Sequence, residues 1–338
     1  MNISEIGKFA LLEKLNAKFD TKQKTTAKTN DDCSVITSGA NSKEISSRVF
    51  LEGINFNLIY TPLKHLGYKV VSHVVSDIIA MNAVPQQILV SVGLSSRFNV
   101  SDVETFYDGI YAACQIYNID VAKNDITASL TGMVINITGV GETDKDNICC
   151  RDGAEDTNLI CITGDLGAAY MGLQVLERER FVFENNPNAQ PQLSNYNYIL
   201  QKQLRPEACI GMIDVFRENG IKPTSMINVS DGLASEILHI CRQSDKGARI
   251  YIDKIPIASE TFKTCEEMNI DPVTAALNGG DDLQLLFTIA LSEHEKIKNL
   301  SGFEVIGHIT NPSKGAYIVT PDGTEIKIKA QGWAAMNG

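Results

Sequence analysis

Asp77 lies in KVVSHVVSDIIAMN (69–82), an apolar stretch patterned as a helix. An unpaired carboxylate buried there costs several kcal/mol, so it either caps or pairs locally, or serves a metal ion or a cation. A second Val-Ser-Asp, at 229–231, ends the strand pattern SMINV and opens the helix pattern DGLASEILHICRQS. Ser230 and Asp231 suit an N-cap, and a helix N-terminus also favours anions. Asp31-Asp32 precede the strand pattern CSVIT, and Asp281-Asp282 follow the glycines of LNGGDDLQLLF. Each pair alone is a common turn signal. Adjacent carboxylates recurring at strand ends nevertheless fit a dispersed set of oxygen ligands for Mg²⁺. Asp125, centred in the polar VAKNDITAS (121–129), is either a solvated turn residue or a further member of that set.

Other motifs narrow the chemistry. TGDLGAA (163–169) reads as strand, glycine turn and helix. It either cradles phosphate on backbone N–H groups or is a packing turn; it lacks the lysine of a Walker loop and is no GxGxxG fingerprint. The five histidines show no metal-ligand spacing, and no GxSxG elbow offers a nucleophilic serine. Trp333, the only tryptophan, reads by itself as part of a packed tail.

The elements that must position these residues alternate irregularly. Strand patterns fall at CSVIT, ISSRVFL and QQILVSVGL, with a long buried helix predicted over 62–82 and another over 100–118. A short strand through Val121 and a strand at GMVINITGVGE complete a first half. RDGAEDTN (151–158) is a polar, turn-rich junction. Beyond it come NLICIT, the helix after TGDLG, helices around RPEACIGMIDVFREN, and strands at SMINV, ARIYIDKI, LQLLFTIAL, FEVIGHI, GAYIVT and EIKIKA. The connections are too irregular for a simple doubly wound sheet. The pattern predicts mixed α/β and α+β halves, 1–148 and 149–338, consistent with two domains in 338 residues.

Bulk properties set further limits. A hydrophobic content of 43% is enough to build a sizeable core. A net charge of −11 argues against a nucleic-acid partner, which needs a basic face. The eight cysteines are scattered without CxxC or zinc spacing, as expected of reduced structural thiols in a cytoplasmic protein. The charged, helical MNISEIGKFALLEKL does not read as a signal peptide, and no membrane span is expected.

Together these segments resemble the thiamine-monophosphate kinase family of the aminoimidazole-ribonucleotide-synthetase-like superfamily. The likeness runs through DDCSVI, TPLKHLGYKVV, VSDIIAMNA, CRDGA, TGDLGAAYMGLQVLERE, VSDGLASEILHICRQS, LNGGDD and IGHIT to the terminal GW. It implies an N-terminal α/β domain that pairs in a homodimer and an α+β C-terminal domain. It also implies transfer of the γ-phosphoryl of ATP onto thiamine phosphate, with Mg²⁺ ions held by aspartates from several loops. Carried over by position, Asp32, Asp77, Asp125 and Asp231 match metal-binding aspartates, with Asp125 and Asp231 central to catalysis. Ser46 and Ser47 match metal-binding positions, and Asp125, Arg151 and Ser230 match nucleotide contacts. Asn55, Asp281 and Trp333 stand at substrate positions.

The departures from the family pattern cluster at the same places. Ser-Thr-Asp reads Ser46-Ser47-Arg48, Gly-x-His-Phe reads Gly53-Ile54-Asn55-Phe56, and Gly-Gly-Asp-Thr reads Lys123-Asn124-Asp125-Ile126. Asp-x-Ser-Asp reads Asn228-Val229-Ser230-Asp231, and Gly-Gly-Glu-Asp reads Gly279-Gly280-Asp281-Asp282. A guanidinium about 5 Å from a divalent ion, at an effective dielectric near 20, opposes binding by about 6–7 kcal/mol. Arg48 therefore either swings away, weakens a metal site or binds phosphate itself. Three outcomes follow: a kinase working with fewer metals, an inactive paralogue that binds nucleotide or partners an active homologue, or a related enzyme for another small substrate.

Overall fold

Two sheets divide the chain. The computed structural model describes residues 8–16, 31–186 and 190–330. The first part contains α1 (Lys8–Asn16), β1 (Ser34–Ser38), β2 (Asn41–Leu51), α2 (Leu63–Ile79), β3 (Val84–Leu94), α3 (Val100–Tyr117), β4 (Asp120–Ala128) and β5 (Met133–Asp144). The second opens with β6 (Leu159–Thr163), α4 (Ala168–Asn185), α5 (Asn197–Leu204), α6 (Gly211–Glu218), β7 (Ser225–Val229) and α7 (Leu233–Ser244). It continues with β8 (Gly247–Tyr251), α8 (Ser259–Glu267), α9 (Pro272–Asn278), β9 (Gln284–Ile289), α10 (His294–Ile297), β10 (Phe303–Thr310), β11 (Ala316–Val319) and β12 (Glu325–Lys327).

The first sheet runs β1-β2-β5-β3-β4, and the second runs β12-β11-β8-β10-β6-β9-β7. Among the described strands, only β3/β4 and β11/β8 pair in parallel. The β3/β4 pair needs a crossover, which α3 supplies. Irregular connection is thus a consequence of mostly antiparallel pairing, as the sequence pattern predicts.

Burial explains why α2 is apolar nearly all round. Residues 66–79 of this helix are all buried, as expected of a helix covered on every side. Its side chains share one core with α3, β2, β3 and β5, and this core continues into Phe216 of α6, Met226 of β7 and Phe287 of β9. The backbones of α2 and α3 touch: a Cβ at Gly109 would lie 1.9 Å from Lys64 O, and one at Gly67 2.0 Å from Phe106 O. Glycine is required at both positions by this approach.

The VAKNDITAS segment is a strand, so Asp125 is not a turn residue. It forms most of β4, an edge strand in parallel register with β3, with Ser91 opposite Asp125. Nearly every β4 residue is exposed, so neither face selects apolar residues and the period-2 signal vanishes. None of the eight cysteines is in a disulfide among the described residues, and six of them are buried. Among the described residues, no helix is long and apolar enough to cross a membrane.

Candidate active site

One face of the buried helix α2 opens onto a cavity of about 1390 Å³. Lys69, His73 and Asp77 follow one another at intervals of four along α2, and all three line the cavity. Such spacing places side chains in a row on one face. The opposing walls come from α1, β2, the turn after β2, Arg151, α4, the β7–α7 junction and Asp281.

Asp77 is almost wholly buried, and its carboxylate is saturated. Oδ2 accepts from Arg48 Nε at 2.6 Å and from Ser46 Oγ at 2.6 Å. Oδ1 accepts from Arg48 Nη2 at 2.6 Å and from Asn228 Nδ2 at 2.9 Å. Burial pushes the Asp77 pKa up, but Arg48 and these hydrogen bonds outweigh it, and the pKa lies below the ordinary value. Asn228 continues the network, because its Oδ1 accepts from Ser76 Oγ at 2.9 Å and its N–H approaches Asp32 Oδ2 at 3.4 Å.

Asp32 faces a second guanidinium. Arg151 Nη2 donates to Asp32 Oδ1 at 2.7 Å, and Nε to Oδ2 at 3.3 Å. The Asp32 pKa is raised, mainly by burial, against the pull of Arg151. Neighbouring Asp31 accepts from the Arg151 backbone N–H at 2.9 Å. Two buried arginine–carboxylate pairs therefore flank Asn228.

The two acidic turns are held backbone to backbone. Asp281 N donates to Ser230 O at 3.1 Å, and Leu283 N to Val229 O at 3.0 Å. Gly232 has φ +97°, and a Cβ there would lie 2.7 Å from both Gly279 O and Leu277 O. Glu236 Oε1 accepts from Asp231 N at 2.9 Å and Ser230 N at 3.3 Å. Asp231 keeps an open side chain, 36% exposed, with Lys8 Nζ at 3.3 Å. Asp281 pairs with buried Lys69 at 2.7 Å, with His73 Nε2 at 3.5 Å from its other oxygen. Burial opposes ionisation of Asp281, yet Lys69 and the other facing groups hold its pKa down at about 2.

The second carboxylate of this turn has a different task. Asp282 accepts from Gly167 N at 2.8 Å and Ala169 N at 3.2 Å, so the N-terminus of α4 is filled by the chain's own carboxylate. At the start of α4, TGDLGAA accordingly packs on this carboxylate, and its Gly167 and Ala169 amides are not open to a phosphate. Burial raises the Asp282 pKa to about 7.

The family described as AIR synthase related protein, N-terminal domain, matches residues 30–143. Thiamine-monophosphate kinase of Aquifex aeolicus (strain VF5) is 28% identical over 333 residues, covering 98% of this chain and 99% of that protein. The Bacillus subtilis (strain 168) thiamine-monophosphate kinase is 27% identical over 310 residues, covering 90% and 91%. The solved AaThiL complexed with AMPPCP and TMP superposes with a TM-score of 0.85 at 28% identity, over 98% of each chain. Over nearly its whole length this chain is similar to thiamine-monophosphate kinases. It has a two-sheet AIR-synthase-like fold, as that structural neighbour does.

The expected site residues divide into those the cavity gathers and those it does not. Asp32, Ser46, Asp77, Arg151, Ser230, Asp231 and Asp281 all line it. Ser47 also lines it, but strand alternation turns it away from Ser46; its Oγ meets Thr138 Oγ1 at 3.0 Å. Asn55 borders the cavity while its Oδ1 accepts from Leu51 N at 2.9 Å, bracing the turn. Asp125 is not brought in. The register row Val49–Asn136–Ser91–Asp125 crosses the sheet on the face opposite that of Phe50 and Val90, which carry the core. Strand spacing puts Asp125 about 14 Å from Val49 along that row. Lys123 and Asn124 lie on the same remote strand. Trp333 lies outside the described residues. No group of three or more His, Cys, Asp or Glu side chains among the described residues is arranged to hold a metal ion.

Sequence reasoning missed Lys69, His73 and Glu236. The signal for the first two was available, because polar residues four apart with Asp77 form a stripe on an otherwise apolar helix. Glu236 lies on the buried side of α7, where burial and then Asp231 raise its pKa to about 8 against the pull of Arg151.

Proposed function

We propose that this chain transfers the γ-phosphoryl group of ATP to thiamine phosphate. A phosphate oxygen of thiamine phosphate attacks the γ-phosphorus, the bond to the bridging oxygen breaks, and ADP and thiamine diphosphate result. The single observation that carries this reading is the cavity, whose volume of about 1390 Å³ exceeds a typical single-ligand pocket of roughly 300–1,000 Å³. It has room for donor and acceptor together. Its walls carry guanidinium groups suited to phosphates, at Arg48 and Arg151. Full-length similarity to thiamine-monophosphate kinases supports the choice of substrates.

The donor set fits one nucleotide-borne Mg²⁺ and does not fit an aspartate-held cluster. Asp77 has no lone pair left, and Asp32 is engaged by Arg151. Asp231 is the open carboxylate that would hold Mg²⁺ together with phosphate oxygens and water, and the ion supplies charge neutralisation when bound. Glu236 fixes the backbone from which Asp231 projects, and Ser230 Oγ donates to Asp231 Oδ2 at 3.4 Å.

We further infer that the chain acts as a homodimer. The open face and edge of the first sheet expose Val49, Leu51 and Ile126, and Asp125 shares that surface. Facing a second copy, Asp125 would complete the partner's cavity. The test of function is purified protein with ATP, Mg²⁺ and thiamine phosphate, followed by chromatographic detection of thiamine diphosphate. Its formation at rates of about 1 s⁻¹ or faster supports the proposal. A second reading, nucleotide binding without transfer, is favoured by the saturation of Asp77; ATP binding without thiamine diphosphate would select it.

A further inference from the structure

The Arg48–Asp77 pair sits where a cation faces the cavity, and its geometry differs from that of an ordinary internal salt bridge. A carboxylate has about four lone-pair sites, and all four of Asp77 are filled, two of them by one edge of the Arg48 guanidinium. The pair is therefore fixed in place from the protein side. Arg48 is also less buried than its partner: its side chain is 28% exposed against 2% for Asp77. Nη1 has no hydrogen-bond partner among the described residues, and the Nη2 contact outside Asp77 is a long 3.5 Å to Ser230 Oγ. Arg48 belongs to the cavity lining beside Ser230 and Asp231. Across Asn228, the Arg151–Asp32 pair presents a second guanidinium to the same lining.

We propose that Arg48 is a resident phosphate-binding cation, which engages the polyphosphate of a nucleotide through its outer N–H groups in place of a divalent ion at Asp77. The proposal rests on the reading that this cavity takes ATP. A guanidinium is always protonated, presents its donors in a planar fork and matches phosphate oxygens bidentately. Held bidentately by Asp77, whose carboxylate Ser46 and Asn228 fix in turn, it is pre-organised, so little rotamer freedom is lost when the phosphate arrives. A bound divalent ion at this position would have to displace four short hydrogen bonds and face the guanidinium. The consequence is that the triphosphate of ATP meets a built-in positive charge, and binding depends only weakly on Mg²⁺.

Calorimetric titration of the full chain with ATP, in Mg²⁺ and separately in EDTA, tests this directly. The proposal expects Kd in EDTA within about tenfold of Kd in Mg²⁺. Weakening by more than about a hundredfold on removing Mg²⁺ would overturn it. Removing Arg48 alone strands a buried carboxylate, so the informative variant is the double Arg48→Met, Asp77→Asn, which keeps the site neutral. It is expected to weaken ATP binding in EDTA by about tenfold or more while folding as wild type by circular dichroism. Unchanged binding in EDTA by the folded double variant would overturn the assignment of Arg48. ATP binding in EDTA without any thiamine diphosphate in the turnover assay would sink the kinase reading and leave this inference standing. Mg²⁺-strict binding with turnover would do the reverse, and absence of ATP binding in either condition would end both.

Discussion

Replacing Asp282 with Asn probes the joint between the acidic turn and the helix α4 that walls the cavity. The wild-type carboxylate is buried and accepts two backbone N–H bonds, from Gly167 and Ala169. Asn keeps one acceptor oxygen and turns an NH₂ donor towards an amide that also donates. Above about pH 7, where the wild-type group is an ionised carboxylate, one hydrogen bond is lost and one buried N–H is left unsatisfied, a cost of about 1–3 kcal/mol to which the pH-dependent part adds. The pH dependence has a definite sign. The folded pKa of Asp282 is raised from 3.8 to about 7 by burial. Between those values the folded chain holds a proton that the unfolded chain has released, so wild-type stability falls as pH rises through the interval. The slope from this one group is at most about 1.4 kcal/mol per pH unit. Asn has no such titration, so the destabilisation caused by Asp282→Asn is largest near pH 4–5 and shrinks towards pH 8. Urea unfolding followed by circular dichroism at several pH values reads this difference. A cost that is constant with pH to within about 0.3 kcal/mol, or that grows as pH rises, would refute the reasoning.

Two further outcomes follow from the same geometry. Asp125→Ala removes an exposed edge-strand side chain, so stability should change by less than about 0.5 kcal/mol while turnover falls. If Asp125 completes a partner's cavity, mixing Asp125→Ala with Asp231→Asn protein under exchange conditions should restore about one quarter of wild-type activity through mixed dimers; no recovery would exclude the shared site. Lys69→Met strands Asp281 in a largely buried position and removes the donor to Gln203 O at 2.9 Å. It should cost about 3–5 kcal/mol in denaturant unfolding, and Asp281→Asn in the same background should recover part of it. Additive losses would show that the pair is not coupled.

Much of the fold is legible in the sequence because its strongest signals are periodic. The α2 run is mostly apolar and its residues 66–79 are all buried, and Asp77 stands out against that background for the same reason. The β4 strand is not legible, because an exposed edge carries no apolar alternation, and its polar residues imitate a loop. The glycine turn of TGDLGAA illustrates a different limit. Whether its amides receive a phosphate or a carboxylate depends on Asp282, more than a hundred residues away, and no local pattern carries that pairing. Arg48 is legible as a disturbance of the metal positions, but its placement is not. The structure answers that with a bidentate pair, since Asn228 and Ser46 turn to complete the Asp77 carboxylate. The open question about Arg48 thereby moves from whether it repels metal to which ligand its outer edge receives.

The reaction itself is tested most directly with ATP labelled in its γ-phosphate, incubated with the purified chain, Mg²⁺ and thiamine phosphate. Label is expected in the terminal phosphate of thiamine diphosphate, mole for mole with ADP formed. Label released only as inorganic phosphate, or retained in ATP while the protein binds the nucleotide, would contradict this transfer.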